Sequence, residues 1–201
     1  AKKFPKVAQF PYLEGVALRN TGQAAQATAA FRRALAIDPN NSNAQLFLAQ
    51  TFIDLGQSDS VVALANSAIA AGGDKSKWGP MLLAPVQDLM NKAKTDTANA
   101  TQYYQRSLDL SLHADTVSSS PTTKFFIGVA SLQLAVAAMQ AAQPAKDCAD
   151  AKRAQDMFTL SALNMPAGGS VDATTAAAVM TAIQKYSPIA DQMAKAYCKK
   201  Q

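Results

Sequence analysis

Residues 27–39 read Ala27-Thr28-Ala29-Ala30-Phe31-Arg32-Arg33-Ala34-Leu35-Ala36-Ile37-Asp38-Pro39, and this stretch decides the fold. Ala27, Phe31 and Ala34 recur at i, i+4 and i+7, which places them on one face of an α-helix. Arg32 and Arg33 are polar and follow the ring directly. Asp38-Pro39-Asn40-Asn41 then stops the helix, because proline cannot continue it and Asp and Asn favour turns. The apolar face consists of small residues around one large ring. Such a face suits a close neighbouring helix, with Phe31 filling the space that the alanines leave.

Outward from this stretch the same spacing returns. Ala100 precedes Tyr104 and Gln105-Arg106-Ser107-Leu108-Asp109-Leu110, and Val61, Ala65, Ala68 and Ile69 repeat the frame in smaller residues. Ala154, Phe158 and Ser161 fit it more loosely, and Phe31 and Ala65 stand 34 residues apart. Turn signals divide the whole chain into predicted helices at 11–20, 23–37, 42–55, 58–71, 80–94, 97–113, 122–142, 147–163, 171–186 and 188–199. The stretches 74–79, 114–120 and 165–169 read as breaks. Consecutive helices with short connections predict antiparallel hairpins packed side by side.

Gly15, Gly22, Ala27, Phe31, Ala34 and Pro39, followed by Leu48, Ala49, Phe52, Gly56 and Ala68, match the spacing of a known signature. In this the chain resembles the tetratricopeptide repeat, a helix–turn–helix unit of 34 residues. Gly72 stands near the proline expected in the second unit. The resemblance implies an all-α fold of stacked antiparallel hairpins, a right-handed α-solenoid, with residues 1–201 as one domain. Residues 8–73 form two clear repeats, 74–114 a degenerate one, 121–164 an extended one, and 170–201 a C-terminal helical cap.

The resemblance also implies a function. In that family the first helices of successive units line a groove that receives a protein or peptide. Here those positions are Gln9, Tyr12, Val16, Arg19 and Asn20, then Asn43, Leu46, Gln50, Ile53 and Asp54. In the extended unit they are Thr122, Phe125, Val129, Leu132 and Gln133. The family's carboxylate clamps use several Lys, Arg and Asn side chains, whereas only Arg19 and Asn20 suggest one here, so an acidic peptide terminus is disfavoured. Two readings of Leu46, Ile53, Phe125 and Leu132 stand together: groove contacts, or core residues covered by the C-terminal helices. Beside a scaffold for a protein partner, the sequence allows a small apolar ligand or lipid held in a helical tunnel, or an oligomerising module.

Charge argues against nucleic acid. The formal charge is +5, from 19 basic and 14 acidic residues. Lys2, Lys3, Lys6, Lys199 and Lys200 sit at the two ends, and without these five the remaining 14 basic residues balance the 14 acidic ones. A nucleic-acid binder concentrates its positive charge along one face.

Two cysteines, Cys148 and Cys198, stand at the start of one predicted helix and near the end of the last. Packing those helices side by side would allow a disulfide, and free thiols are the alternative. A bridge would indicate an oxidising compartment, periplasmic or secreted, whereas free thiols would suit the cytoplasm. A surface with Glu14 as its one glutamate against 13 aspartates is compatible with the former. The chain starts at Ala1 with no leader pattern, so any signal peptide is expected to be already removed or never to have existed. No uninterrupted apolar run approaches the roughly 18–20 residues of a membrane span; the longest candidate, 127–139, contains Ser131 and Gln133.

No catalytic constellation is visible. His113, the one histidine, sits at a predicted helix end with no nucleophile and orienting group patterned around it. Asp147, Asp150 and Asp156 intersperse with Lys146, Lys152 and Arg153 as a solvated helix face does. Gly72-Gly73 and Gly168-Gly169 read as turns, not phosphate loops. The expectation is a non-enzyme without metal or cofactor.

Overall fold

The first helical pair meets at Gly15. A Cβ there would lie 2.6 Å from the Phe31 ring, so the missing side chain lets the ring sit directly against the opposing helix. The computed structural model describes residues 7–198 and is all-α over them. Lys2, Lys3, Lys6, Lys199 and Lys200, which carry the charge argument, lie outside the described residues. In chain order the helices are α1 (Gln9–Asn20), α2 (Ala24–Ile37), α3 (Ser42–Asp54), α4 (Ser58–Ala70), α5 (Lys75–Thr95), α6 (Ala100–Val117), α7 (Pro121–Ala145), α8 (Cys148–Gly168) and α9 (Ala173–Tyr197). A short 3-10 turn, Thr97–Asn99, precedes α6. Contacts group into two compact units, Ala1–Pro85 and Val86–Gln201, with the division falling inside α5.

In the first unit α1 packs on α2, α2 on α3 and α3 on α4, and α1 also touches α3. Two chain reversals show the repeat at backbone level. Gly22 and Gly56, 34 residues apart, follow α1 and α3 with φ of 77° and 68°. Each N–H donates to a carbonyl three residues back, and the following Gln23 and Gln57 donate to Leu18 and Phe52. This is the left-handed closure that glycine makes without steric cost. Phe31, Ala34, Ala49 and Phe52 are buried as the repeat spacing predicts.

In the second unit α6 packs on α7, α7 on α8 and α8 on α9, and α7 also meets α9. The α7–α8 pair makes the most extensive contact. A Cβ on Gly168 would fall 2.6 Å from the Phe125 Cα, and Ser161 Oγ donates to the Gly128 carbonyl at 2.7 Å. Ala135, Ala142, Ala151, Ala154, Phe158, Met165 and Ala190, all fully buried, form the middle of the core.

Several expected breaks are continuous helix. The looser stretch 74–79 forms the start of α5, which runs through Pro80 and Pro85. Residues 114–117 belong to α6, leaving Ser118–Ser120 as the connection, and α7 carries Pro144 in its last turn. The expected break at 165–169 is the end of α8, through Pro166, and the last two predicted helices are one, α9, through Pro188. Burial explains this. Trp78, Leu82, Val86, Leu89 and Ala93 form one stripe along α5, as do Ala176, Val179, Ile183, Ala190 and Ala194 along α9. Covering such a stripe outweighs the roughly 3 kcal/mol that an interior proline costs.

Helix α7 corrects the membrane reading. It is 25 residues long with mean hydropathy 1.7 in its most apolar window, enough by length and composition to cross a bilayer. The sequence criterion of an uninterrupted apolar run missed it because Ser131 and Gln133 interrupt the run. That window is 61% buried inside the protein, against neighbours that include α6, α8 and α9, so α7 is the central core helix of its unit.

Candidate functional site

Each unit carries a concave site lined by positions that the sequence singled out. The first lies on α1, α3 and the start of α5. Tyr12 of α1 meets Phe31 and Phe47 with ring centroids 6.2 and 5.8 Å apart, and Phe31 and Phe47 stack at 5.9 Å. Arg19 Nε donates to Asp54 Oδ2 at 2.7 Å. Tyr12–Phe47 and Arg19–Asp54 have the same sequence separation, 35 residues, so α1 and α3 run parallel and in register. Their side chains at matching positions therefore share one face. Arg19, Leu46, Phe47, Gln50 and Met81 line a cavity of ≈ 220 Å³ on it.

The cavity brings together some of the positions read from sequence and adds others. Arg19, Leu46 and Gln50 come together as expected. Tyr12 lies beside them in the aromatic cluster, Val16 and Ile53 are half-buried, and Asn20 is exposed. Phe47 and Met81 were missed. Phe47 falls one residue off the family frame, and Met81 sits behind a predicted break at 74–79. The charge of Arg19 is paired with that of Asp54.

The second site is larger, a cavity of ≈ 520 Å³ walled by four helices. Phe125, Phe126, Val129, Leu132 and Gln133 come from α7, Gln87, Met90 and Lys94 from α5, and Tyr104 from α6. The fourth wall is the start of α9, with Asp172, Thr174, Thr175, Ala178 and Val179. Phe125 and Phe126 meet edge-on with centroids 5.5 Å apart. The α7 positions differ in burial. Leu132 is core, 7% exposed; Phe125 and Val129 are half-buried, packed against the core on one side and open to the cavity on the other. The C-terminal helix neither fills this space nor leaves it bare; it forms a wall.

The polar groups of this cavity are unevenly committed. Asp172 accepts from Thr175 N at 3.0 Å and Thr175 Oγ1 at 2.6 Å, capping α9. Those bonds, the Thr175 hydroxyl foremost, hold its carboxyl below the usual range. Burial pushes the Tyr104 phenol up, so it stays a donor. Among the described residues Lys94 and the Tyr104 hydroxyl have no hydrogen-bond or ion-pair partner.

Cys148 and Cys198 form a disulfide with Cα atoms 5.0 Å apart. It joins the first residue of α8 to the residue after α9, and Gln155 donates to Asp191 further along the same antiparallel pair. His113 lies inside α6 rather than at its end. No three His, Cys, Asp or Glu side chains among the described residues converge to hold a metal ion.

Comparison with known families agrees with the repeat spacing. Residues 18–84 match the family model described as Tetratricopeptide repeat. No curated protein matches the chain. Tetratricopeptide repeats generally bind proteins or peptides and are typically non-catalytic.

Proposed function

We propose that this chain, whose residues 18–84 are tetratricopeptide repeat, is a non-catalytic scaffold. It holds a protein or peptide partner on the α1–α3 face of its first unit. The observation that carries this reading is the convergence of Arg19, Leu46, Phe47, Gln50 and Met81 on one cavity inside and beside the matched repeats. The Arg19–Asp54 pair leaves that cavity without a net charge to capture a terminal carboxylate, so the partner offers an apolar side chain flanked by backbone that Gln50 can hydrogen-bond. The Cys148–Cys198 bridge supports an extracytoplasmic setting, periplasmic or secreted.

Panning a random peptide library on the purified chain tests this. Enriched peptides should share an apolar anchor, bind with either a free or an amidated C-terminus, and be lost with Leu46→Asp but kept with Arg19→Gln, circular dichroism confirming the fold of both. No enrichment, or enrichment only of free carboxyl termini that Arg19→Gln abolishes, overturns it.

A second reading belongs to the second unit. Its ≈ 520 Å³ cavity, with an apolar and aromatic wall, is in the range of small-molecule sites. On this reading the unit holds a small, largely apolar ligand.

A further inference from the structure

The second-unit cavity has a chemical polarity that narrows what it accepts. Its body is Met90, Phe125, Phe126, Val129, Leu132, Ala178 and Val179 from α5, α7 and α9. An apolar ligand body would replace water against those side chains, which is favourable in proportion to the area covered. Two charged groups line it. The Asp172 carboxylate already accepts bonds on both oxygens, Oδ1 from the Thr175 amide and Oδ2 from the Thr175 hydroxyl. Lys94 differs. Its neighbour Lys92 pairs with Asp88 at 2.6 Å, while Lys94 has no carboxylate within pairing distance among the described residues.

Tyr104 adds a second uncommitted donor. Its hydroxyl is part-desolvated and unbonded within the protein, and a phenol is protonated at neutral pH. A polar group removed from water without a partner is costly, and a bound acceptor removes that cost. The lining therefore offers an ammonium and a phenol hydroxyl as donors, and its one carboxylate is already used.

We propose that this cavity binds an amphipathic carboxylate: an acyl chain lies along the α7–α9 wall and its carboxylate is held by Lys94, with Tyr104 donating a second bond. The proposal rests on the second reading above and gives it a ligand class. A carboxylate accepting from an ammonium is among the stronger hydrogen bonds, and it is more selective than the apolar wall alone.

Isothermal titration of the delipidated full chain with dodecanoate at pH 7.5 tests this, with dodecanol as the neutral isostere, both below micelle-forming concentrations. Dodecanoate should bind 1:1 and at least tenfold tighter than dodecanol. Lys94→Met should erase that difference by weakening dodecanoate alone, and Tyr104→Phe should weaken it by a smaller factor. Ala178→Trp, placed to fill the cavity, should abolish binding of both, with the thermal melt showing that the variant is folded. If that variant does not fold, Val129→Phe serves the same purpose from the opposite wall. Equal binding of dodecanol and dodecanoate, unchanged by Lys94→Met, overturns the carboxylate proposal and leaves the apolar-ligand reading standing. Binding of neither, or binding that survives filling of the cavity, overturns both.

Discussion

Gly168 and Gly128 are both in places where a Cβ has no room, yet they should respond differently to alanine. At Gly168 the obstacle is the Phe125 backbone, with Cα at 2.6 Å and N at 2.9 Å, and backbone yields only by moving α7 away from α8. At Gly128 the obstacle is the Met165 terminal methyl at 2.5 Å, the end of a flexible chain that can swing aside. Gly168→Ala is therefore expected to destabilise by about 1–3 kcal/mol or more, as overpacking does, and Gly128→Ala by clearly less. Urea unfolding of both reads the difference, and equal losses would show that Met165 cannot move. Phenylalanine truncation makes a parallel comparison. Phe158→Ala, fully buried, should cost about 3–5 kcal/mol, and half-buried Phe125→Ala clearly less. A loss at Phe125 as large as at Phe158 would mean that the Phe125 ring is core rather than cavity wall.

At the scale of elements, the α6–α7 connection is tied by one carboxylate. Ser120 and Thr123 form a reciprocal cap at the start of α7. Asp115, on the last turn of α6, accepts from Thr123 Oγ1 and Lys124 Nζ, each at 2.6 Å. Burial alone would raise the Asp115 carboxyl, but the hydrogen bonds from Lys124, Thr123 and Ser119 outweigh it and hold the carboxyl below the usual range. A group whose folded-state pKa is depressed stabilises the fold fully above its unfolded value, about 3.9 for Asp, and loses that contribution as pH falls toward the folded value. Asp115→Asn should therefore lower stability at pH 6 and flatten the fall in stability below about pH 4. Denaturation midpoints between pH 6 and pH 2.5 measure both effects, and parallel curves for the two proteins would show that Asp115 does not contribute.

For the whole chain, the Cys148–Cys198 bridge is the largest single constraint, closing α8 and α9 across a separation of 50 residues. The chain-entropy model assigns such a loop about 4 kcal/mol. Denatured, unreduced protein should therefore show no free thiol with the intact mass of a monomer. Cys148→Ser with Cys198→Ser should lower the melting temperature. Hydrogen exchange should place the lost protection in α8 and α9 and leave α1–α4 unchanged, since both cysteines lie in the second unit. Two free thiols in protein from an oxidising compartment would remove the main support for an extracytoplasmic setting.

Local spacing alone carried much of this protein. Gly15 against Phe31, the left-handed glycines at 22 and 56, and the buried Ala49 and Phe52 follow from a 34-residue period, because helix pairing depends on which residues recur on one face. The cysteine pairing was legible for a related reason: placing two helix ends side by side needs only their order. Three features needed the tertiary structure. The chain around Pro80, Pro166 and Pro188 read locally as interrupted, and only the burial of long stripes along α5, α8 and α9 carries the helices through these prolines. The sequence could not pair Arg19 with Asp54, 35 residues away; packing α1 beside α3 does. The cavity joining Lys94, Tyr104, Phe125 and Val179 takes its lining from four helices spread over nearly a hundred residues. Periodicity reports the face a residue shares with its own helix; which other helices close around that face is set by packing.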